Sequence, residues 1–123
     1  MFGQDDYLMR MIENMARALG QLVFNKPMDT VQLFDKHGNV TEEGLMLQRL
    51  KDMLACGQVN EAENLLFSWL EESQEIELLP VAIEFYRTLA GMDEAALAAC
   101  DYTREEIAEG LAAVQGMFEG AGD

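Results

Sequence analysis

Positive charge is scarce in this sequence. Eight Lys and Arg residues stand against 23 Asp and Glu, for a formal net charge of −15. Residues 1–51 carry 7 acids and 6 bases, whereas residues 52–123 carry 16 acids and only two bases, Arg87 and Arg104. Because an acidic surface repels phosphate groups, binding of nucleic acid or of an anionic membrane surface is not expected. The charge allows a basic protein partner, mimicry of nucleic acid, or simply a solvated acidic surface.

Proline and cysteine are also rare, with two of each in 123 residues. Few prolines and nine methionines favour helices with adaptable packing over a strand-rich fold. Cys56 and Cys100 are far apart in sequence and form no CxxC pair, so free thiols in a reducing compartment are expected, with a single disulfide as the alternative. Half of the residues are apolar, which is enough to bury a core without disulfides or metal.

Long hydrophobic runs are absent as well. No window approaches the roughly 20 apolar residues that a membrane span requires. Acidic residues and Arg10 interrupt the apolar residues near the N-terminus, so a secretory signal is not expected there. We therefore predict a soluble, cytoplasmic protein.

Groups that carry catalysis or bind metals are few. His37 is the single histidine, and neither cysteine lies at zinc-ligand spacing from it. DKHGN resembles the start of a calcium loop, but Val40 and Met46 stand where such a loop needs Gly and Glu. Cys56 is predicted at a helix C-terminus, where the dipole disfavours a thiolate. No Gly-rich phosphate loop or Glu-x-x-His motif is present, so we predict no cofactor, no metal and no enzymatic activity.

The strongest positive signal is the stretch 57–70. A helix predicted over 60–72 has a very broad apolar face that only Glu63 interrupts, at about 100° per residue. Its apolar residues are Ala62, Leu65, Leu66, Phe67, Trp69 and Leu70. A face this broad needs more than one neighbour, so this helix is predicted at the centre of an all-α fold. Glu63 either closes a capping box with Asn60 or makes a polar contact inside a groove.

The rest of the chain predicts a single domain, residues 1–123, of five to six helices in antiparallel hairpins. Residues 5–25 form an amphipathic helix, 26–40 an irregular linker, and 41–119 the helical hairpins. The first helix is expected to pack within its own domain, with part of its apolar stripe left for a homodimer.

Local signals set the ends of the predicted elements. Thr41, Asp93 and Thr103 are predicted N-caps, and Gly57 ends the helix that begins after Thr41. In the linker, residues 28–36 fit either helix or strand, and DKHGN is a turn. The apolar residues Val31, Leu33 and Phe34 are expected to order this linker against the core.

The segment GQVNEAENLL resembles the turn and second-helix start of a tetratricopeptide repeat. Gly57 matches the turn, Val59 the large apolar position, and Glu61 with Ala62 the acidic and small positions that follow. Trp69 departs from the pattern because such repeats have a small residue there, and no second copy of about 34 residues follows. The resemblance implies one tetratricopeptide-like hairpin with right-handed packing rather than a repeat array.

Nearly the whole chain also resembles a family of small bacterial proteins known only as a domain of unknown function. The segments that carry this resemblance are QDDYLMRMIENMARALGQLVF, VNEAENLLF, AIEFYRTL and YTREEIAEGL. It implies a tetratricopeptide-like helical fold and brings no activity with it.

These features favour a non-catalytic protein–protein interaction module with a basic partner. The candidate partner-binding residues are Glu63, Phe67, Trp69, Tyr86 and Arg87, because aromatic residues and Arg dominate binding hot spots and Glu63 interrupts an apolar face. For each aromatic residue the alternative is an ordinary core position. Two other functions stay open: a small-ligand-binding or regulatory domain with a pocket between helices, and a structural dimer joined through residues 5–25.

Overall fold

The computed structural model describes residues 7–14, 17, 34–73 and 78–121, with side chains as far as residue 117. Its described residues form six helices and confirm the predicted all-α class. Residues 7–14 and 17 are helical and belong to α1. The other five are α2 (Glu42–Ala55), α3 (Val59–Ser73), α4 (Leu79–Ala90), α5 (Glu94–Ala99) and α6 (Arg104–Ala121). No helix in these ranges is long and apolar enough to cross a membrane.

The predicted N-caps are confirmed at three helices. The side chain of Thr41 accepts a hydrogen bond from the Gly44 amide at 2.9 Å, at the start of α2. The side chain of Asp93, the N-cap of α5, accepts a hydrogen bond from the Ala96 amide at 2.7 Å. In front of α6, Thr103 Oγ1 accepts from the Glu106 amide at 3.2 Å. Each cap satisfies an amide that has no partner within its helix.

Helix α2 ends as predicted at Gly57, which has a φ of +78°. The Gly57 amide donates to the Leu54 carbonyl at 3.0 Å, and the Gln58 amide donates to Met53 at 2.9 Å. This pair of bonds is the Schellman motif, which turns the chain sharply into α3.

The same motif ends α5, but a side chain occupies its left-handed position. Asp101 has a φ of +60° and its amide donates to Ala98 at 3.0 Å. The amide of Tyr102 donates to Leu97 at the same distance. The turn is therefore strained by a residue with a Cβ, and it delivers Tyr102 to the interior.

The predicted capping box at Asn60 is wrong. Helix α3 begins at Val59, so Asn60 lies inside its first turn. Its side-chain amide donates to the carbonyls of Cys100 and Asp101, at 3.4 and 3.2 Å. Asn60 thereby ties the start of α3 to the strained turn after α5, a long-range role that local spacing does not reveal.

Helix α4 is the most enclosed element of the described fold, because nine of its 12 residues are buried. It packs against α2 and α6, and α2 also packs against α3. The broad apolar face predicted for α3 is only partly enclosed. Ala62, Leu66 and Leu70 are buried, whereas Leu65, Phe67 and Trp69 are half-buried against the core.

The described part of α1 packs onto the same core through Leu8 and Ile12, which are buried. Met9 and Met11 are partly buried beside them. Most of the predicted stripe between residues 15 and 25 lies outside the described residues.

Residues 34–40 form a small hairpin in which Phe34 and Val40 make an isolated antiparallel bridge. The predicted turn is confirmed: Gly38 has a φ of +83°, and Asp35 Oδ1 accepts from the His37 and Asn39 amides at 2.8 and 3.0 Å. Phe34 was expected against the core but is exposed, because the hairpin closes through its own bonds. Val31, Leu33 and most of 28–36 lie outside the described residues.

Both cysteines are free thiols, as predicted. Cys56 is exposed and Cys100 is half-buried. The Cys100 sulfur lies 3.8 Å from where a Cβ on Gly57 would stand, so it touches the α2–α3 turn.

A candidate binding cleft around Glu63

The carboxylate of Glu63 is held by two tyrosines. Tyr86 donates its hydroxyl to Glu63 Oε2 at 2.6 Å, and Tyr102 donates to the same oxygen at 2.8 Å. The two tyrosines come from α4 and from the turn before α6, and both are buried. Glu63 itself, in the second turn of α3, is half-buried. Short bonds to a charged acceptor fix the direction in which the carboxylate faces.

Both tyrosines act as neutral donors. Burial is the main reason that the pKa of Tyr86 lies far above its ordinary value, and the hydrogen bond to Glu63 raises it further. Burial also raises the pKa of Tyr102, and the charge of Glu63 adds to the effect. A phenolate in either position would be poorly solvated and would face a carboxylate, so both hydroxyls stay protonated near neutral pH.

A glycine makes room for this arrangement. Gly110 lies in α6, where it faces the Tyr86 ring. A Cβ at this position would overlap the Tyr86 hydroxyl and stand 2.5 Å from its Cζ. Only the absence of a side chain lets α6 approach closely while Tyr86 reaches Glu63.

In front of Glu63 is an open cleft of about 350 Å³ between α3 and α6. Its six lining residues are Glu63, Asn64, Phe67, Glu106, Glu109 and Gly110. The cleft therefore combines three carboxylates with one amide and one aromatic ring. None of these described lining residues is basic, so the carboxylates have no cation from the cleft itself.

The two basic residues of the acidic half are engaged elsewhere. Arg87 pairs with Glu84 at 3.2 Å, on another part of the surface. Arg104 is buried and donates to the carbonyls of Ala90, at 3.1 Å, and Met92. Arg104 thus caps the C-terminal end of α4. Neither arginine lines the cleft.

Of the predicted binding residues, Glu63 and Phe67 line the cleft together. Tyr86 is fully buried and lies behind Glu63, so it supports the cleft without forming its surface. Trp69 is half-buried and lies about 200° around α3 from Phe67, on a different face. Arg87 pairs with Glu84 and is not part of the cleft. Three of the five residues therefore share one site.

Sequence reasoning missed Tyr102 and Gly110. Gly110 had a signal, because glycine in a helix interior costs about 1 kcal/mol relative to alanine and suggests a close approach. Tyr102 had none, because its role depends on the strained turn at Asp101. Of the two cleft carboxylates on α6, Glu109 is exposed and Glu106 is half-buried.

The described residues contain no group of three or more His, Cys, Asp or Glu side chains placed to hold a metal ion. His37 is exposed in the hairpin turn.

All six residues that line the cleft lie within the part of the chain that one family model matches. The model of a family of unknown function, DUF6483, matches residues 1–119. The chain belongs to this family. No curated protein and no solved structure matches the chain. Membership of DUF6483 confirms the predicted resemblance to a domain of unknown function, and the family assigns no activity to the cleft.

Proposed function

We propose that this DUF6483 protein is a non-catalytic interaction module that docks a basic segment of a protein partner in the cleft between α3 and α6. The observation that carries the proposal is the Glu63 carboxylate, which two buried tyrosines hold in place beside Phe67. A Lys or Arg side chain with an apolar neighbour has the chemistry that fits this cleft.

Preorganisation supports this role for Glu63. Its Oε2 accepts both tyrosine hydroxyls, and no donor within the described ranges bonds to the other oxygen, which is therefore able to accept hydrogen bonds from a ligand. A carboxylate that is already oriented loses little side-chain entropy when a cation binds. Charge-assisted bonds to a fixed carboxylate are about twice as strong as bonds between neutral groups.

The remaining lining residues supply attraction and contact area. Glu106 and Glu109 add negative charge on the facing helix, and Phe67 offers an apolar surface to the methylene groups of a long basic side chain. Residues 52–123 carry a net charge of −14, which accelerates the approach of a basic partner in dilute salt.

The tyrosines support a role without catalysis. Their raised pKa values keep both hydroxyls protonated, so they orient Glu63 and are not poised to transfer protons. We further propose tetratricopeptide-like packing, a bacterial source and a cytoplasmic location. The sharp α2–α3 hairpin supports the packing, and the two free thiols support a reducing compartment.

One alternative is favoured by the size of the cleft. A volume of about 350 Å³ is near the lower limit for small-molecule sites, so a small organic amine is the second candidate ligand. The homodimer through residues 5–25 stays a prediction. Leu8 and Ile12 use part of that helix within the fold.

The test is an NMR titration of the full ¹⁵N-labelled chain with two short capped peptides. One peptide has Arg and the other has Gln between two leucines. We expect the Arg peptide to shift the Gly110 backbone amide and the Asn64 side-chain amide, while Gly38 in the distant hairpin does not move. An alkylamine such as butylamine tests the second candidate. Absence of any shift at Gly110 and Asn64 with the Arg peptide would contradict the proposal.

Matched variants distinguish binding in the cleft from general attraction to the acidic surface. Glu106→Gln with Glu109→Gln removes two acids from the cleft, and we expect binding of the Arg peptide to weaken about tenfold or more. Glu71→Gln with Glu72→Gln removes the same charge from exposed positions of α3 outside the cleft. Equal weakening by the two pairs would show that net charge alone drives the interaction.

A further inference from the structure

Exposed large apolar side chains are confined to one half of the described chain. Tyr7, Phe34, Val40 and Leu45 are 59 %, 57 %, 50 % and 60 % exposed, and all four precede residue 52. The acidic half, which contains the cleft, shows no such side chain among its described residues. Apolar exposure and excess charge are therefore separated within the molecule.

Three of these side chains, Phe34, Val40 and Leu45, lie within 12 residues of one another in the chain, and we define them as the hairpin patch. Phe34 and Val40 are directly opposite each other in the antiparallel bridge, so their side chains lie on the same side. Leu45 lies one helical turn after Thr41, the N-cap of α2, and its amide donates to the Thr41 carbonyl at 3.1 Å. Helical side chains lean toward the preceding turn, which places Leu45 over the cap beside Val40.

The charge distribution limits what can cover this patch. Two copies of a chain with a net charge of −15 repel each other over most of their surface. Residues 34–51, which contain the patch, carry three acids and three bases and so no net charge, and like-charged copies approach there at a low electrostatic cost. A strongly basic partner would instead be drawn to the acidic half.

We propose that a second copy of this chain docks on the hairpin patch and forms a weak two-fold symmetric dimer. In such a dimer a surface must complement itself. The exposed charges around the patch are of both signs, with Lys36 and Arg49 near Asp35 and Glu42 in sequence. They can pair across a two-fold axis. The inference is independent of the cleft and involves none of its lining residues.

The test is sedimentation equilibrium of the full chain from micromolar to millimolar concentration, at low and high salt. We expect the mean mass to rise from one chain toward two, and to rise further at high salt because screening reduces the repulsion between copies. Docking of a basic peptide in the cleft has the opposite salt dependence. Failure of either proposal therefore leaves the other unaffected.

Matched variants locate the interface. Leu45→Glu places like charges in the patch at an exposed helical position, so the fold is kept and dimerisation should weaken about tenfold or more. Ala113→Glu makes the same change of charge at an exposed position of α6 and should leave the dimer intact. Val40→Thr, which keeps the β-branched shape, should weaken it to a smaller extent. A monomeric mass throughout, or a dimer that Leu45→Glu does not affect, would overturn the proposal.

Discussion

Glu63 is a carboxylate on a mostly apolar helix face, and the tyrosines that surround it make this arrangement stable. Within the described residues, no buried side-chain nitrogen or oxygen lacks a hydrogen-bond partner. The pairing matters because an unpartnered buried polar group costs about 1–3 kcal/mol. The pattern around Glu63 indicated a polar contact as one of two alternatives, but its partners come from residues 23 and 39 positions away. Partners this far apart in the sequence cannot be identified from residue spacing.

The tyrosines predict a specific loss of stability at alkaline pH. Their pKa values are raised in the folded state, so above about pH 10 the unfolded chain releases protons that the folded chain retains. Because the unfolded state then binds fewer protons, the free energy of unfolding falls as pH rises. The slope for each tyrosine is about 0.7 kcal/mol per pH unit at about pH 10 and approaches about 1.4 kcal/mol per pH unit above it. Urea unfolding between about pH 9 and pH 11 measures this slope.

Tyr102→Phe should make that alkaline slope shallower by the contribution of one tyrosine. Tyr7→Phe makes the same chemical change at a position that is 59 % exposed and serves as the matched control. Tyr102→Phe also removes a hydrogen-bond donor and therefore lowers stability at neutral pH. This loss does not affect the test, because only the change of stability with pH is compared. Identical slopes in the wild type and Tyr102→Phe would contradict the neutral-donor role.

A second prediction for a single residue concerns Asp101, which has a positive φ in the turn after α5. Asp101→Gly should raise the free energy of unfolding by up to about 1 kcal/mol, because glycine adopts a positive φ without the penalty of a Cβ. Gly57→Ala, at the equivalent position after α2, should lower it by about 1 kcal/mol. Its new Cβ would meet the Cys100 sulfur only at an ordinary 3.8 Å, so the effect is conformational. Urea midpoints of both variants check the two signs, and a loss of stability in Asp101→Gly would show that its side chain is needed.

At the scale of helices, much of the fold could be predicted because its signals are local. The caps Thr41, Asp93 and Thr103 and the stop at Gly57 are each set within a few residues. The packing could not be predicted in the same way. The broad face of α3 suggested a central helix, yet α4 is the more enclosed, because burial depends on which helices come to lie on either side.

The contact between α6 and α4 makes a prediction about Gly110. Gly110→Ala should lower the free energy of unfolding by about 1–3 kcal/mol, because its Cβ would displace Tyr86 in a packed interior. Gly116→Ala is the matched control in the same helix, where a Cβ meets nothing within 4 Å. It should raise stability by about 0.5–1 kcal/mol. Urea unfolding at neutral pH distinguishes the two, and equal stabilisation by both would mean that Tyr86 is not held as described.

At the scale of the whole molecule, sequence composition alone revealed the separation of charge between residues 1–51 and 52–123. Composition could not reveal which acidic residues the Lys and Arg side chains pair with. Among the described residues, the two ion pairs both involve Glu84, with Lys51 at 3.9 Å and Arg87 at 3.2 Å. Glu84 is thus the one described acid of the second half in these pairs, and the repulsion that arises from the excess negative charge of this half opposes the folded state.

This repulsion predicts that salt stabilises the protein. Raising sodium chloride from about 0.01 M to 1 M shortens the screening length from about 30 Å to about 3 Å, which weakens repulsion between exposed acids. We expect the urea midpoint to rise while the slope of unfolding stays constant, because the surface exposed on unfolding does not change. Glu71→Lys with Glu72→Lys reduces the net charge by four and should make the rise smaller. A midpoint that falls with salt would show instead that ion pairs dominate the surface, because screening removes their attraction as readily as it removes repulsion.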